Sequence, residues 1–421
     1  MTLPVTARLP RFRWIACGLL FLVTTNNYLD RQALGVMAPE LIRHFGWTPG
    51  DYADIVFWFQ VGFAVGFPLT GRFLDAVGTR WGFAIAVAVW SLASMAHGWV
   101  SSLAAFKMMR FSLGVSQPSN MPAGIKVVTD WFPPRERALA TGLFKGGANL
   151  GSILVPAIVP ILFLSFGWRL TFVILGATGF AWLILWLWLY RDNPATVATT
   201  TGARPIHWRA LLGRRETWGY MTFKFLTDAV WFWYLAMLPL FLNQKFGLSL
   251  AEFGPPLITI YGIAYIGSVG GGWLSSHWIA RGWDLTRARK TAMFLCCALT
   301  LPVVLVTSLD DLWTCILLIA LAHAAHQGLT SNLFTTVSDL FPLRAVGTVI
   351  GLGGVAAQTG AALMTLATGL LLDRGGALSS LFIVAGSAYL VAFVIFHILV
   401  PSLSPLSFSD EDRSTAKLPG A

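Results

Sequence analysis

Seven charged side chains stand inside long apolar runs: Asp30, Arg31, Arg110, Lys126, Lys145, Lys224 and Asp228. Ionised groups in such segments are costly unless a partner or a ligand answers them, so a functional role is the first reading of each. Their types define the available chemistry. A carboxyl such as Asp30 takes up and releases a proton, and a guanidinium stays charged and holds a carboxylate through two parallel hydrogen bonds. The set suits reversible anion binding and proton exchange, with Asp30 as a proton-coupling candidate and Arg110 as the candidate for a substrate carboxylate. A salt bridge from Arg110 to Asp30 is the plain structural alternative. Asp30 and Arg31 lie roughly 25 Å along the first helix, and adjacent helical positions diverge by about 100°, so they do not form one pair on one face.

Neutral and secondary groups surround this set. Gln117 follows Arg110 by about two helical turns, directly before Pro118; its amide can hold a hydroxyl but cannot titrate. Lys126 nears the end of its run, where it either snorkels or meets substrate. Lys145 stands in Gly142-Leu-Phe-Lys-Gly-Gly-Ala-Asn-Leu-Gly151, with Asn149 one turn later, as a second cationic contact or a partner for an acid. Lys224 and Asp228 have the i,i+4 spacing of a self-neutralising pair. Trp231, Trp233 and Tyr234 offer faces for a sugar ring or for packing. His326, Gln327 and Asn332 in one segment, and Gln358 in the next, add polar groups. His326 is a second proton-coupling candidate or a satisfied bundle histidine.

Other chemistry is excluded by what the 421 residues do not contain. There is no HExxH, no GxSxG, no Walker sequence and no cysteine pair with metal spacing, so no enzyme, metal site, cofactor or direct ATP drive is expected. Cys296 and Cys297 read as small apolar filler. With 56% hydrophobic and 11% charged residues, against about 25% charged in soluble domains, the chain is a membrane protein.

These side chains must be positioned by membrane helices. Apolar segments cover 13–37, 53–74, 81–100, 103–126, 136–162, 168–190, 218–242, 254–279, 290–307, 311–335, 346–370 and 377–400, which is twelve. The net charge of +10 reports topology and not a nucleic-acid partner. Arginines such as Arg8, Arg11, Arg72, Arg80, Arg135, Arg214 and Arg289 fall on one side, which places both termini in the cytoplasm. Asp130-Trp-Phe-Pro-Pro-Arg135 recurs as Asp339-Leu-Phe-Pro-Leu-Arg344, displaced by 209 residues. The expected fold is all-α: a six-helix half over 1–190, a cytoplasmic linker over 191–217 with a short surface helix, a second half over 218–400, and a flexible tail over 401–421. The halves are expected to be related by a pseudo-two-fold axis along the membrane normal, an arrangement suited to alternating access.

Gly71-Arg-Phe-Leu-Asp75-Ala-Val-Gly78-Thr-Arg80 resembles the loop motif between helices two and three of the major facilitator superfamily. That resemblance implies a gating role for Asp75 and Arg80; Arg31 and Asp228, read from their own placement, are further gating or structural candidates. Asn27-Tyr-Leu-Asp-Arg-Gln32, Phe132-Pro-x-x-Glu136-Arg137-Ala138 and Gly147-Ala-Asn149 are similar to marks of its anion:cation symporter family. Lys224-Phe-Leu-Thr-Asp228, Gly270-Gly-Gly-Trp-Leu-Ser-Ser276 and Ala325-His-Gln-Gly328 resemble its bacterial hexuronate transporters. The resemblance implies a monomeric importer of glucuronate or galacturonate in the bacterial inner membrane, with carboxylate binding at Arg110 and proton-linked chemistry at Asp30. An aldonate or aromatic acid is the alternative cargo. Bacterial members carry a glutamate where this chain has Gln117. That departure leaves three alternatives: coupling through Asp30 alone, a facilitator or exchanger, or an engineered Glu-to-Gln form. Phe63, Lys145 and Leu240 are further departures from the family pattern, standing where tyrosine, asparagine and lysine are usual.

Overall fold

The computed structural model describes residues 9–193 and 208–406; the side chains at 9–11, 75, 134, 135, 138, 343 and 344 lie outside the description. The helices are α1 (Leu9–Phe45), α2 (Pro49–Val77), α3 (Thr79–Ala96), α4 (Leu103–Ser116), α5 (Asn120–Trp131), α6 (Pro134–Leu189), α7 (Trp208–Leu212), α8 (Arg215–Phe246), α9 (Gly254–Ala280), α10 (Leu285–Thr300), α11 (Leu312–Leu340), α12 (Leu343–Asp373) and α13 (Leu381–Leu399). A 3-10 turn over Gln117–Ser119 joins α4 to α5, and another over Leu301–Thr307 prolongs α10.

Among the described residues these make twelve crossings, a twelve-helix all-α membrane fold. α4 and α5 form one crossing, broken where Pro118 has no N–H to give. α6, at 56 residues, is two crossings that turn at Gly167, whose φ of 77° is open to glycine and costly for other residues. The sequence places a boundary there but gives no sign that helical backbone runs almost unbroken through it. Five residues of the expected linker form α7. The rest of its middle, 194–207, and the end of the tail, 407–421, lie outside the described residues.

The internal repeat extends to the corners. Thr48 accepts from Asp51 N while the Asp51 carboxylate accepts from Thr48 N, and Ser249 and Glu252 close the same reciprocal box ahead of α9. Ser102 caps α4 and Asp311 caps α11. Phe132 and Phe341 end α5 and α11 with nearly equal extended backbone, φ −105° and −106°.

Helix pairings repeat as well. A Cβ on Gly62 or Gly66 of α2 would lie 2.4 or 2.2 Å from the Phe111 or Val115 carbonyl of α4. On Gly267 or Gly271 of α9 it would lie 2.2 Å from the Ala324 carbonyl or Gly328 Cα of α11. Gly147 and Gly151 of α6 abut the Phe21 and Thr25 carbonyls of α1, and Gly360 of α12 abuts the Phe225 carbonyl of α8. Apolar side chains gain little from one another in lipid, so close backbone approach through small residues is what bonds such pairs.

The chain divides into two compact units. Unit 1 is Met1–Thr200, Tyr234–Ile258 and Thr365–Gly375; unit 2 is Thr201–Trp233, Thr259–Met364 and Gly376–Ala421.

Gly271→Val tests the α9–α11 contact. We expect it to destabilise the solubilised protein by about 1–3 kcal/mol through overpacking. Gly262→Ala, where a Cβ meets nothing within 4 Å, is expected to leave thermal unfolding unchanged.

Candidate functional site

In unit 1 the site is built on the polar stretch of α1. A helix satisfies its own backbone, so Thr24 to Gln32 can hold polar side chains in a crossing if neighbouring helices answer them. Thr24 and Asn120 hydrogen-bond each other, Asn26 accepts from Thr178, and Gln32 donates to Ser152 at 2.8 Å. Asp30 is 1% exposed, and its Oδ1 accepts from Ser94 Oγ of α3 at 2.6 Å, while its buried Oδ2 has no partner.

Arg110 of α4 is 2% exposed. Its Nη1 donates to the main-chain carbonyls of Asp30 at 3.5 Å and Arg31 at 3.4 Å, and it closes no ion pair with the Asp30 carboxylate. Both contacts are long, and Nε and Nη2 find no partner. A buried guanidinium hydrogen-bonded only to the edge of a helix retains the donors that a carboxylate needs.

Arg31 points elsewhere. Its guanidinium lies over the rings of Tyr28, Phe59 and Phe63 at 5.3, 5.3 and 4.6 Å, where ring quadrupoles attract a cation. Its Nε donates to Gln117 Oε1 at 3.4 Å, and Gln117 Nε2 donates to the Asn27 carbonyl at 3.2 Å. The break before Pro118 fixes that amide. Thus Asp30, Arg31, Arg110 and Gln117 come together. Lys126, Lys145 and Asn149 are half-buried on α5 and α6.

Arg80 ties the start of α3 to the end of α6. It donates through Nη2 to the Leu187 carbonyl at 2.5 Å and through its main-chain N to Asp192 at 3.2 Å. The Asp75 side chain, its expected gating companion, lies outside the described residues. Three groups escaped sequence reading: Ser94, the buried His97 one turn beyond it, and the Lys107–Asp54 ion pair between α4 and α2. Ser94 stands among Ser91, Ala93 and Ala96, where a small residue reads as helix packing.

In unit 2, Lys224 and Asp228 are buried and ion-paired, and Lys224 lies 4.9 Å over the Phe334 ring. Trp231 is stacked on His326 at 4.8 Å and 6°, so one face of that indole is already covered. Tyr389 Oη donates to the Thr227 carbonyl at 3.3 Å and lies 3.0 Å from His326 Nδ1. Asn332 donates to the carbonyls of Gly271 and Gly328 at 2.8 and 3.0 Å, which clasps the α9–α11 contact. Gln358 is buried with Oε1 unpartnered; Trp233 is buried, Gln327 half-buried. Tyr234, also buried, falls in unit 1. Arg289 pairs with Asp339 at 3.2 Å and donates to Ser275 at 2.9 Å.

Lys224→Met should strand the Asp228 charge and destabilise the protein by about 3–5 kcal/mol; Lys224→Met with Asp228→Asn should recover most of the loss. Thermal unfolding in detergent measures both.

The sequence profile described as Major Facilitator Superfamily matches residues 20–309 and, overlapping, 279–418. A hexuronate transporter of Escherichia coli (strain K12) is 27% identical over 407 residues, covering 92% of this chain and 94% of that protein. A D-galactonate transporter of Escherichia coli O6:H1 is 25% identical over 419 residues, covering 93% and 97%. The crystal structure of a D-xylose-proton symporter superposes with a TM-score of 0.74 at 13% identity, covering 92% of this chain and 98% of that one, and so supports the fold.

Proposed function

The chain belongs to the Major Facilitator Superfamily, and from that premise we propose that it imports a hexuronate, glucuronate or galacturonate, by proton symport. It is a secondary transporter and not an enzyme. The observation that carries the cargo's charge is Arg110, a buried guanidinium with Nε and Nη2 unpartnered. The likeness to sugar-acid carriers supports the choice of a sugar acid over other anions. The membrane is a bacterial inner membrane with both termini in the cytoplasm, and the working unit is a monomer.

Coupling follows from charge balance. With Asp30 ionised, the cluster holds one carboxylate against the two guanidinium groups of Arg31 and Arg110. Protonating Asp30 removes the competing negative charge and leaves Arg110 to the substrate carboxylate, because charge terms are large where water is excluded. Anion and proton then favour each other's binding and cross together. Gln117 is already engaged by Arg31 and Asn27, which suits a structural amide and leaves the proton step to Asp30. An aldonate is the second reading, favoured by the galactonate relative's nearly equal identity and coverage.

The test is uptake into proteoliposomes under an imposed pH gradient, with labelled glucuronate, galacturonate and galactonate. We expect uphill uptake of a hexuronate, at least about tenfold lower in Asp30→Asn with exchange retained, and no binding in Arg110→Ala; tenfold corresponds to about 1.4 kcal/mol. Uphill uptake only in Gln117→Glu would make the chain a facilitator, and uptake of galactonate alone would make it an aldonate carrier.

A further inference from the structure

We propose that Ser94 is a positioning residue for proton transport, its hydroxyl holding the Asp30 carboxyl by Oδ1 so that Oδ2 is the atom that takes up and releases the proton. This rests on the reading of Asp30 as the coupling carboxylate.

The geometry sets this hydroxyl apart from those that bond back to their own helix. Serine and threonine inside helices ordinarily bond back to a carbonyl three or four residues earlier. Thr25, Thr70, Ser112 and Thr171 do so here, to Phe21, Gly66, Met108 and Gly167. Ser94, 2% exposed in the last turn of α3, donates instead across to α1, at 2.6 Å to Asp30 Oδ1. The Ser94 backbone is fixed by the end of the helix, where its carbonyl accepts from His97 N at 3.3 Å. A short bond from a fixed donor selects one rotamer of the carboxyl.

The remaining oxygen is then defined. Oδ1 accepts from Ser94 whether Asp30 is ionised or neutral, since the carbonyl-like oxygen of a carboxylic acid still accepts. The added proton therefore resides on Oδ2, which is buried without a partner, and the Ser94 proton stays on Ser94 in both states. Arg110 does not compete for either oxygen, because its Nη1 is directed to the main-chain carbonyls of Asp30 and Arg31. The other charged or titratable groups around the pair are Arg31 on α1, His97 just beyond α3, and Tyr52 on α2, which interacts electrostatically with Arg110. His97 holds Nδ1 at the Ala93 carbonyl, and its ring is stacked 4.9 Å from Phe172. Without the hydroxyl the carboxyl can rotate and take its proton on either oxygen, and protonation falls out of step with binding.

Ser94→Ala, Ser94→Thr and Asp30→Asn are compared in the same vesicles, measuring pH-driven accumulation of labelled hexuronate and counterflow exchange, which needs no net proton movement. We expect Ser94→Ala to exchange at close to the wild-type rate, to lose about tenfold in accumulation, and to be restored by Ser94→Thr. Accumulation at the wild-type level in Ser94→Ala, while Asp30→Asn has lost it, overturns the inference and leaves the coupling reading standing. Equal loss of exchange and accumulation in Ser94→Ala makes the contact merely structural and likewise overturns it. Wild-type accumulation in Asp30→Asn, or none in the wild-type chain, removes the coupling reading on which the inference stands.

Discussion

Two guanidinium groups share the surroundings of one buried carboxylate, and most of unit 1 is arranged around what that costs. An ion taken from water into an apolar interior needs excellent partners to be tolerated. Arg31 finds rings and an amide, a cage of Tyr28, Phe59 and Phe63 closed by Gln117. Arg110 finds two carbonyls of α1 at long range and the more distant Phe59 ring. The difference divides the labour between them. The caged cation has rings and an amide around it, and the half-answered one keeps Nε and Nη2 without a partner.

That arrangement depends on how closely the helices approach. Phe59 lies beneath both cations, 5.3 Å from Arg31 and 6.0 Å from Arg110, because α2 and α4 touch backbone to backbone at Gly62, Gly66 and Gly114. Gly147 and Gly151 bring α6 equally close to α1, where Ser152 answers Gln32. A side chain at any of these glycines would widen the contact and lengthen the hydrogen bonds that cross it. The small residues and the buried charges therefore form one constraint.

Much of this was readable in the sequence. A crossing needs a long apolar run, so all twelve segments announced themselves, and costly charges inside such runs marked Asp30 and Arg110. The 209-residue repeat was visible because Asp130 and Asp339 stand in matching loop motifs. What escaped has a common cause: it depends on direction. Sequence spacing cannot show that Ser94 turns away from its own helix, nor that Arg110 meets the carbonyls of Asp30 and not its carboxylate. Nor does an isolated glycine in an apolar run reveal that Gly167 turns α6 while leaving it helical on both sides.

The repeated scaffold also shows that the two halves of the sequence use equivalent positions for different ends. In the register set by the boxes at Thr48 and Ser249, Asp30 corresponds to Trp231; in the register of the Ser102 and Asp311 caps, Gln117 corresponds to His326. The first helix of each half meets the fourth at these places. In unit 1 the contact runs from Arg31 to Gln117 at 3.4 Å, and in unit 2 it is the stack of Trp231 on His326 at 4.8 Å. One scaffold thus holds an unbalanced set of charges in the first half, and an aromatic stack beside a self-neutralised Lys224–Asp228 pair in the second. Charges that cancel locally give no net attraction for an anion, so of these two buried sets it is the first, with Arg31 and Arg110 against Asp30, that keeps an excess of positive charge.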